Sequence, residues 1–198
     1  MPMRVPAATI TGTNVYLRPP RRSDAGAFEA AVRESQALHR GWTSAPRTSA
    51  AYDKFVKRYA TRAVSRVHAG FLVFRKSDHA LVGVYNFSEI VHGAFQSAYL
   101  GYFAFAPLAG TGLMSEGLAL ALDIAYQKIG LHRVEVNIQP NNVRSLALAT
   151  RMGFTREGYS RRYVKIGGRW RDHVRFAMLS EDWRVLRRKF RFVPMAVD

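Results

Sequence analysis

The sequence contains no cysteine in its 198 residues. This absence excludes disulfide bonds, thiolate zinc sites, iron–sulfur clusters and cysteine nucleophiles. A chain of this length is expected to bury roughly 70% of its unfolded surface, which is enough for a hydrophobic core without cross-links. We therefore expect a single domain over residues 1–198, with a core at about residues 14–183 and a basic tail at 184–198, and no metal site.

Acidic residues are scarce. The chain has 30 Lys and Arg but only 14 Asp and Glu, a formal net charge of +16. The excess is +8 in residues 1–70 and +10 in residues 126–198, whereas residues 71–125 carry −2. Because such a surface attracts polyanions, we expect a phosphate-bearing partner.

Long apolar runs are also few. Residues 93–115 contain no charged side chain, but glycines and Pro107 interrupt them, so a membrane-spanning helix is not predicted. The opening residues offer too short an apolar stretch for a secretory signal. We expect a cytoplasmic protein without a membrane partner.

Hydrophobic periodicity predicts the order of the elements. A first strand at 14–18 precedes a helix capped by Ser23, a loop with His39 and Trp42, and a helix from about Ser49. Trp42 is expected either to pack in the loop or to line a cleft. Three neighbouring strands follow at 71–74, 81–87 and 99–105.

In the second half of the chain, the predicted helices and strands alternate. A helix at 113–128 leads to a strand with Val134, Val136 and Ile138, a helix at 142–152, and a hairpin that turns at Gly167 and Gly168. A strand, helix and strand in succession imply a parallel crossover. We predict a mixed α+β fold whose central sheet is mostly antiparallel, with a parallel pair in the middle and helices on its faces.

A glycine-rich turn lies between the third strand and the long helix, with the sequence Gly110-Thr111-Gly112-Leu113-Met114. Glycines let backbone amides approach a ligand, and the N–H groups of a helix start favour phosphate. The alternative is a tight turn without a ligand. No Lys-Ser/Thr pair follows and the third glycine is missing, so the turn is neither a Walker loop nor a dinucleotide fingerprint.

This turn resembles the pyrophosphate loop of the GNAT superfamily of acetyl-CoA-dependent N-acetyltransferases, Gln/Arg-x-x-Gly-x-Gly/Ala. Ala109 and Met114 replace the first and last residues of that motif. Residues 14–19, the Asn-x-x-Ser at 142–145, and residues 152–154 are also similar to the family. Segments 86–88, 99–102, 112–114, 140–145 and 169–173 look most like the RimJ branch, the ribosomal-protein-alanine N-acetyltransferases, and the resemblance runs from about residue 14 to 183.

The resemblance implies the GNAT fold, in which two central parallel strands splay apart and hold acetyl-CoA (coenzyme A) as co-substrate. Pantetheine would contact the backbone of Phe103, Ala104 and Phe105, and the diphosphate would bind the N–H groups of Gly110, Thr111, Gly112, Leu113 and Met114. Asn137, Asn142 and Arg144 would add contacts. The alternatives are a helix N-cap for Asn142 and a solvated charge for Arg144.

The resemblance also implies that Ser145 gives a proton to the departing thiolate; its alternative is a serine bonded to its own helix. Many relatives carry a glutamate where this chain has Tyr99. A tyrosine of ordinary pKa, about 10, is a poor base at neutral pH, so we expect Tyr99 to position a water or to pack. Gln96 is the nearest polar alternative to Tyr99, and the candidate substitutes for the base are Glu89, His92, Asp172 and His173.

A weak base suits an acceptor that is already partly neutral. An N-terminal α-amine has a pKa of about 8, whereas that of lysine is about 10.4. We therefore expect direct attack by the α-amine of a protein N-terminus. The resemblance to the RimJ branch implies that this N-terminus is Ala or Ser and belongs to a ribosomal protein. The alternatives are a small-molecule amine (polyamine or aminoglycoside) acetyltransferase and a non-catalytic ribosome-binding or RNA-binding module. The basic C-terminal part is expected to contact ribosomal RNA.

Overall fold

The computed structural model describes residues 10–60 and 67–190. Within them eight strands form one sheet in the order β1-β2-β3-β4-β5-β6-β8-β7. The strands are β1 Ile10–Thr11, β2 Val15–Arg18, β3 Ala69–Arg75, β4 Leu81–Val91, β5 Ser97–Ala104, β6 Arg133–Ile138, β7 Thr155–Ile166 and β8 Arg169–Leu179. The helices are α1 Ala25–Glu34, α2 Gln36–His39, α3 Ser49–Ala60, α4 Leu113–Asp123, α5 Val143–Arg151 and α6 Ser180–Leu186.

The predicted fold class is confirmed. β5 and β6 are parallel, and the other neighbouring strands of the described sheet pair antiparallel. The long helix continues from α4 through π-helical turns at Ile124–Ile129 and ends at Gly130, as its C-cap predicted. No helix in the described ranges is long and apolar enough to span a membrane.

The prediction that Ser23 caps the first helix is wrong. Ser23 lies inside a 3₁₀ turn, Arg22–Asp24, and α1 begins at Ala25. Asp24 fixes this turn because its carboxylate accepts the N–H of Arg21 at 2.8 Å and pairs with Arg18 at 2.5 Å. A buried carboxylate with these partners stabilises the chain entering α1 more than an exposed serine hydroxyl would.

The two faces of the sheet differ. The first face packs against α4 and α5 through a large core that includes Leu118, Leu122 and Leu148. The second face packs against α1 and α3 along β2, β3, β4 and the end of β5, where Phe28, Tyr52 and Phe105 are buried. The second face of β6 and β8 carries polar side chains instead: Arg133, Glu135, Asn137 and Arg175.

Met114, which departs from the family motif, packs against Gly83 on β4. Its side chain is buried and reaches Gly83. A Cβ on Gly83 would lie 2.5 Å from Met114 Sδ and 2.6 Å from the carbonyl oxygen of Phe103. The missing side chain at position 83 therefore accommodates the large side chain at position 114.

We predict that Gly83→Ala lowers the free energy of unfolding by about 1–3 kcal/mol, because the added methyl group overpacks a site bounded by backbone. Gly101→Ala is the matched control on the adjacent strand, since among the described atoms none lies within 4 Å of its Cβ position. Its change should stay within about 0.5 kcal/mol. Urea denaturation of both variants checks this, and equal stabilities would contradict the Gly83–Met114 fit.

Candidate active site

The parallel pair of strands separates shortly after it begins. β5 and β6 are paired at Ser97–Arg133, Ala98–Val134 and Tyr99–Glu135, although β5 continues to Ala104 and β6 to Ile138. We call the space between the strands beyond these residues the gap. It matches the splayed pair that the resemblance implies.

The edge of β5 presents only alternate residues to the gap. The N–H of Phe105 donates to Val82 O at 2.8 Å, so the backbone of Phe105 faces β4. Because antiparallel pairs alternate along a strand, Phe103 also faces β4, while Tyr102 and Ala104 face the gap. Of the three backbone contacts predicted for pantetheine, only that of Ala104 is directed there.

The predicted phosphate loop has the geometry of an open cradle at the start of α4. Gly110 and Gly112 have φ of +82° and +87°, which L side chains rarely adopt. Helical bonding begins with the N–H of Ser115, which donates to Gly112 O at 2.9 Å, so the N–H groups of Leu113 and Met114 precede it. Among the described atoms none lies within 4 Å of a Cβ built on either glycine. The cradle can therefore admit an anionic group.

A buried tyrosine, Tyr85, and a partly buried one, Tyr102, hold the helix starts that flank the gap. Tyr85 and Tyr102 are cross-strand neighbours on β4 and β5, with ring centroids 5.8 Å apart. Tyr85 donates its hydroxyl to Met114 O in α4, and Tyr102 donates to Ser145 O in α5 at 3.3 Å. Burial raises the pKa of both hydroxyls, so they remain donors at neutral pH.

Ser145 lies in the first turn of α5 and is partly exposed. Its N–H donates to Asn142 Oδ1 at 3.2 Å, so Asn142 is the N-cap of this helix, as the alternative interpretation held. Arg144 is exposed. Asn137 lies on the second face, and its buried Oδ1 has no hydrogen-bond partner among the described residues. A buried acceptor of this kind is suited to a ligand N–H.

Tyr99 lies at the mouth of the gap on the second face, with 39% of its surface exposed. Tyr163 donates its hydroxyl to Tyr99 Oη at 3.3 Å, and this bond together with burial raises the pKa of Tyr163 to about 12. The two tyrosines thus form a polar pair, in which Tyr163 keeps its proton at neutral pH.

Two carboxylates near this pair, Glu135 and Glu157, were assigned no catalytic role from the sequence. Glu135 pairs in register with Tyr99 and accepts the Nε–H of Arg133 at 2.8 Å. Arg133 also forms a two-bond ion pair with Glu157, which lowers the pKa of Glu157 below its usual value. The alternation of polar and apolar residues on β6 was visible in the sequence, but the register that brings Glu135 beside Tyr99 was not.

The side chains considered in place of Tyr99 differ in their hydrogen bonds and exposure. Asp172 accepts hydrogen bonds from Tyr159 and from the N–H of Arg162, and the hydrogen bond from Tyr159 lowers its pKa. His173 is buried, which lowers its pKa, and its Nδ1 bonds Arg171 O at 3.0 Å. Gln96, Glu89 and His92 lie on or near the connection from β4 to β5 and are exposed.

Comparison with known proteins identifies the family. The sequence model of the acetyltransferase (GNAT) domain matches residues 14–155. The probable N-acetyltransferase YjcK of Bacillus subtilis is 36% identical over 129 residues, 65% of this chain and 71% of that protein. The ribosomal protein uS5-alanine N-acetyltransferase of Escherichia coli is 41% identical over 113 residues, 57% of this chain and 58% of that enzyme.

Among solved structures, Mycobacterium smegmatis RimJ in complex with CoA-disulfide matches with a TM-score of 0.81 and 27% identity, and the match covers 88% of each chain. The chain belongs to the GNAT acetyltransferase family. Its resemblance to the RimJ branch, drawn from the sequence, is confirmed.

Proposed function

We propose that this GNAT acetyltransferase transfers the acetyl group of acetyl-CoA directly to the N-terminal α-amine of a protein, and that this protein is ribosomal. The observation that carries the proposal is the gap between β5 and β6 with the open glycine cradle beside it. The 41% identity to an enzyme named for acetylating ribosomal protein uS5 supports the choice of acceptor.

The cradle residues Gly110, Thr111, Gly112, Leu113 and Met114 would bind the diphosphate of coenzyme A through their N–H groups. Thr111 stabilises the turn itself, because its hydroxyl donates to Leu108 O at 2.7 Å. Ala104 would bond pantetheine from the edge of β5. Asn137, Asn142 and Arg144 would line the same site, Arg144 as a mobile positive charge.

Acetyl-CoA supplies the acetyl group as a thioester. Ser145 would donate its hydroxyl proton to the departing thiolate, since its helix start is held at the gap by Tyr102. Tyr99 and Tyr163 would hold a water that carries the amine proton away. An α-amine is roughly one quarter neutral at pH 7.4, so this site needs little further basicity.

We predict that peptides with a free Ala or Ser N-terminus are acetylated. The same peptides with a blocked α-amine and an internal lysine should not react, because a lysine amine is only about 0.1% neutral near pH 7.4. Mass spectrometry of the products locates the added acetyl group. Acetylation of the lysine side chain with none at the N-terminus would contradict the proposal.

A pair of glycine variants shows whether the activity belongs to the cradle. Gly112→Asp places a negative charge where the diphosphate would bind and should abolish acetylation and calorimetric binding of acetyl-CoA. Gly93→Asp is its control, because Gly93 has a similar φ of +74° and equally open surroundings among the described residues but lies in the turn between β4 and β5. Unchanged binding by a folded Gly112→Asp protein would place the cofactor elsewhere.

We also propose that the protein contacts ribosomal RNA, through a basic surface on the β7–β8 hairpin. Residues 158–171 contain no acidic residue. They carry five basic ones, Arg161, Arg162, Lys165, Arg169 and Arg171. Trp170 pairs with Lys165 across the hairpin and is 61% exposed. Exposed aromatic rings among arginines are typical of surfaces that bind single-stranded nucleic acid.

Fewer of the C-terminal arginines are shown to be available for such a surface. Arg187 forms an ion pair with the buried carboxylate of Asp123, so it stabilises the end of α4. Arg184 and Arg188 are exposed, whereas Arg191 lies outside the described residues. The hairpin is therefore the better place for a test.

We predict that affinity for ribosomal particles falls steeply with salt, and that replacing Arg161, Arg162 and Arg169 by Ala reduces the log–log slope by roughly 2 units, at about 0.7 per phosphate contact. Replacing the exposed Arg33, Arg47 and Lys54 removes the same charge outside the hairpin and should change the slope less. Sedimentation at several salt concentrations measures both. Equal slopes for the two variants would contradict a hairpin contact.

A further inference from the structure

A short segment spans the open end of the gap on the second face. We call residues 39–43 the strap. His39 Nε2 bonds Ala104 O at 2.8 Å, and Gly41 O accepts the side-chain N–H of Gln139 at 2.8 Å. Ala104 is the last residue of β5 and Gln139 directly follows β6, so the strap is bonded to the carboxyl ends of both separated strands.

His39 is enclosed in this position by two aromatic rings. Its side chain is 5% exposed and lies against the rings of Phe103 and Phe105, with centroids at 5.1 and 6.0 Å. Burial lowers the pKa of His39, so the ring is neutral at neutral pH. Because a carbonyl oxygen can only accept, Nε2 carries the hydrogen and donates it to Ala104.

Gln139 connects the strap to the catalytic helix start. Gln139 is 8% exposed, and its side-chain N–H donates to Gly41 O. Its backbone carbonyl accepts the N–H of Asn142 at 2.9 Å. Asn142 caps α5 and bonds the N–H of Ser145. One chain of hydrogen bonds therefore runs from the strap through Gln139 and Asn142 to Ser145.

We propose that His39 and Gln139 are positioning residues that set the width of the gap. They fix the Ala104 carbonyl on one side and the start of α5 on the other at the separation that the thioester arm of coenzyme A requires. This inference rests on the proposed function, because it assumes that coenzyme A occupies the gap. It adds two residues that neither contact the cradle nor belong to the glycine motif.

His39 and Gln139 can set the width of the gap because no sheet pairing fixes it at this point. Within the described part of the chain, β5 and β6 share no register beyond Tyr99 and Glu135, so packing and the strap decide how far apart their ends lie. A carbonyl oxygen has two lone pairs. His39 therefore orients Ala104 O and leaves one lone pair free for a ligand N–H.

The test compares Gln139→Leu and His39→Leu, which remove a donor at nearly constant volume, with His39→Gln, which restores an N–H donor. Buried hydrogen bonds of this kind predict that each Leu variant raises the Kd for CoA and the KM for acetyl-CoA about 5- to 30-fold. His39→Gln should return both constants to within about threefold of the wild type. Gln127→Leu, at an exposed position after α4, is the control and should leave both unchanged.

Hydrogen exchange in the ligand-free protein separates this proposal from the proposed function. The N–H of Trp42 donates to His39 O at 3.0 Å inside the strap. In Gln139→Leu the Trp42 amide should exchange about tenfold faster, while amides of β3 stay protected. This result supports the strap whether or not CoA binds.

Leu variants that fold with Trp42 exchange, CoA affinity and KM all within twofold of the wild type would overturn the proposal. So would His39→Gln if it recovers thermal stability without recovering the KM, because His39 would then be a packing residue only. Wild-type protein that fails to bind CoA would instead overturn the proposed function.

Discussion

The structure depends on one interruption, the end of β5–β6 pairing after Tyr99 and Glu135. A strand edge left without a partner exposes backbone N–H and C=O groups that must be satisfied in another way. On the first face Tyr102 bridges the opening to Ser145, and on the second face His39 bonds Ala104 directly. These two bonds hold the carbonyl oxygens of Ser145 and Ala104 on either side of the opening.

The two faces of the sheet carry different parts of the candidate site beside this interruption. The first face carries α4 and α5, whose starts supply the cradle and Ser145. The second face is left uncovered by α1 and α3 beside Tyr99, where an acceptor amine would approach. Residues 71–125, which include β4, β5 and the cradle, carry a net charge of −2 in a chain of net charge +16.

Local patterns predicted the parts of the site that depend on neighbouring residues. The glycine cradle, the helix caps at Gly130 and Asn142, and the parallel crossover all follow from short-range signals. Long-range register could not be predicted in the same way. Three features depend on residues that are far apart in the sequence: the pairing with β4 that turns Ala104 towards the gap, the fit of Met114 against Gly83, and the contact of Gly41 with Gln139. Ser23 was misassigned for a local reason, because Asp24 bonds both Arg18 and the N–H of Arg21 and so fixes the turn before α1.

The most direct measurement is the response of single backbone amides to coenzyme A, observed by NMR in labelled protein. Ala104 faces the gap, whereas the N–H of Phe105 is already bonded to Val82. We expect CoA to slow exchange of the Ala104 amide and to shift the resonances of Gly112 and Leu113, with little change in exchange at Phe105. Protection that leaves Ala104 and the cradle unaffected, in a protein that binds CoA, would contradict this account of the gap.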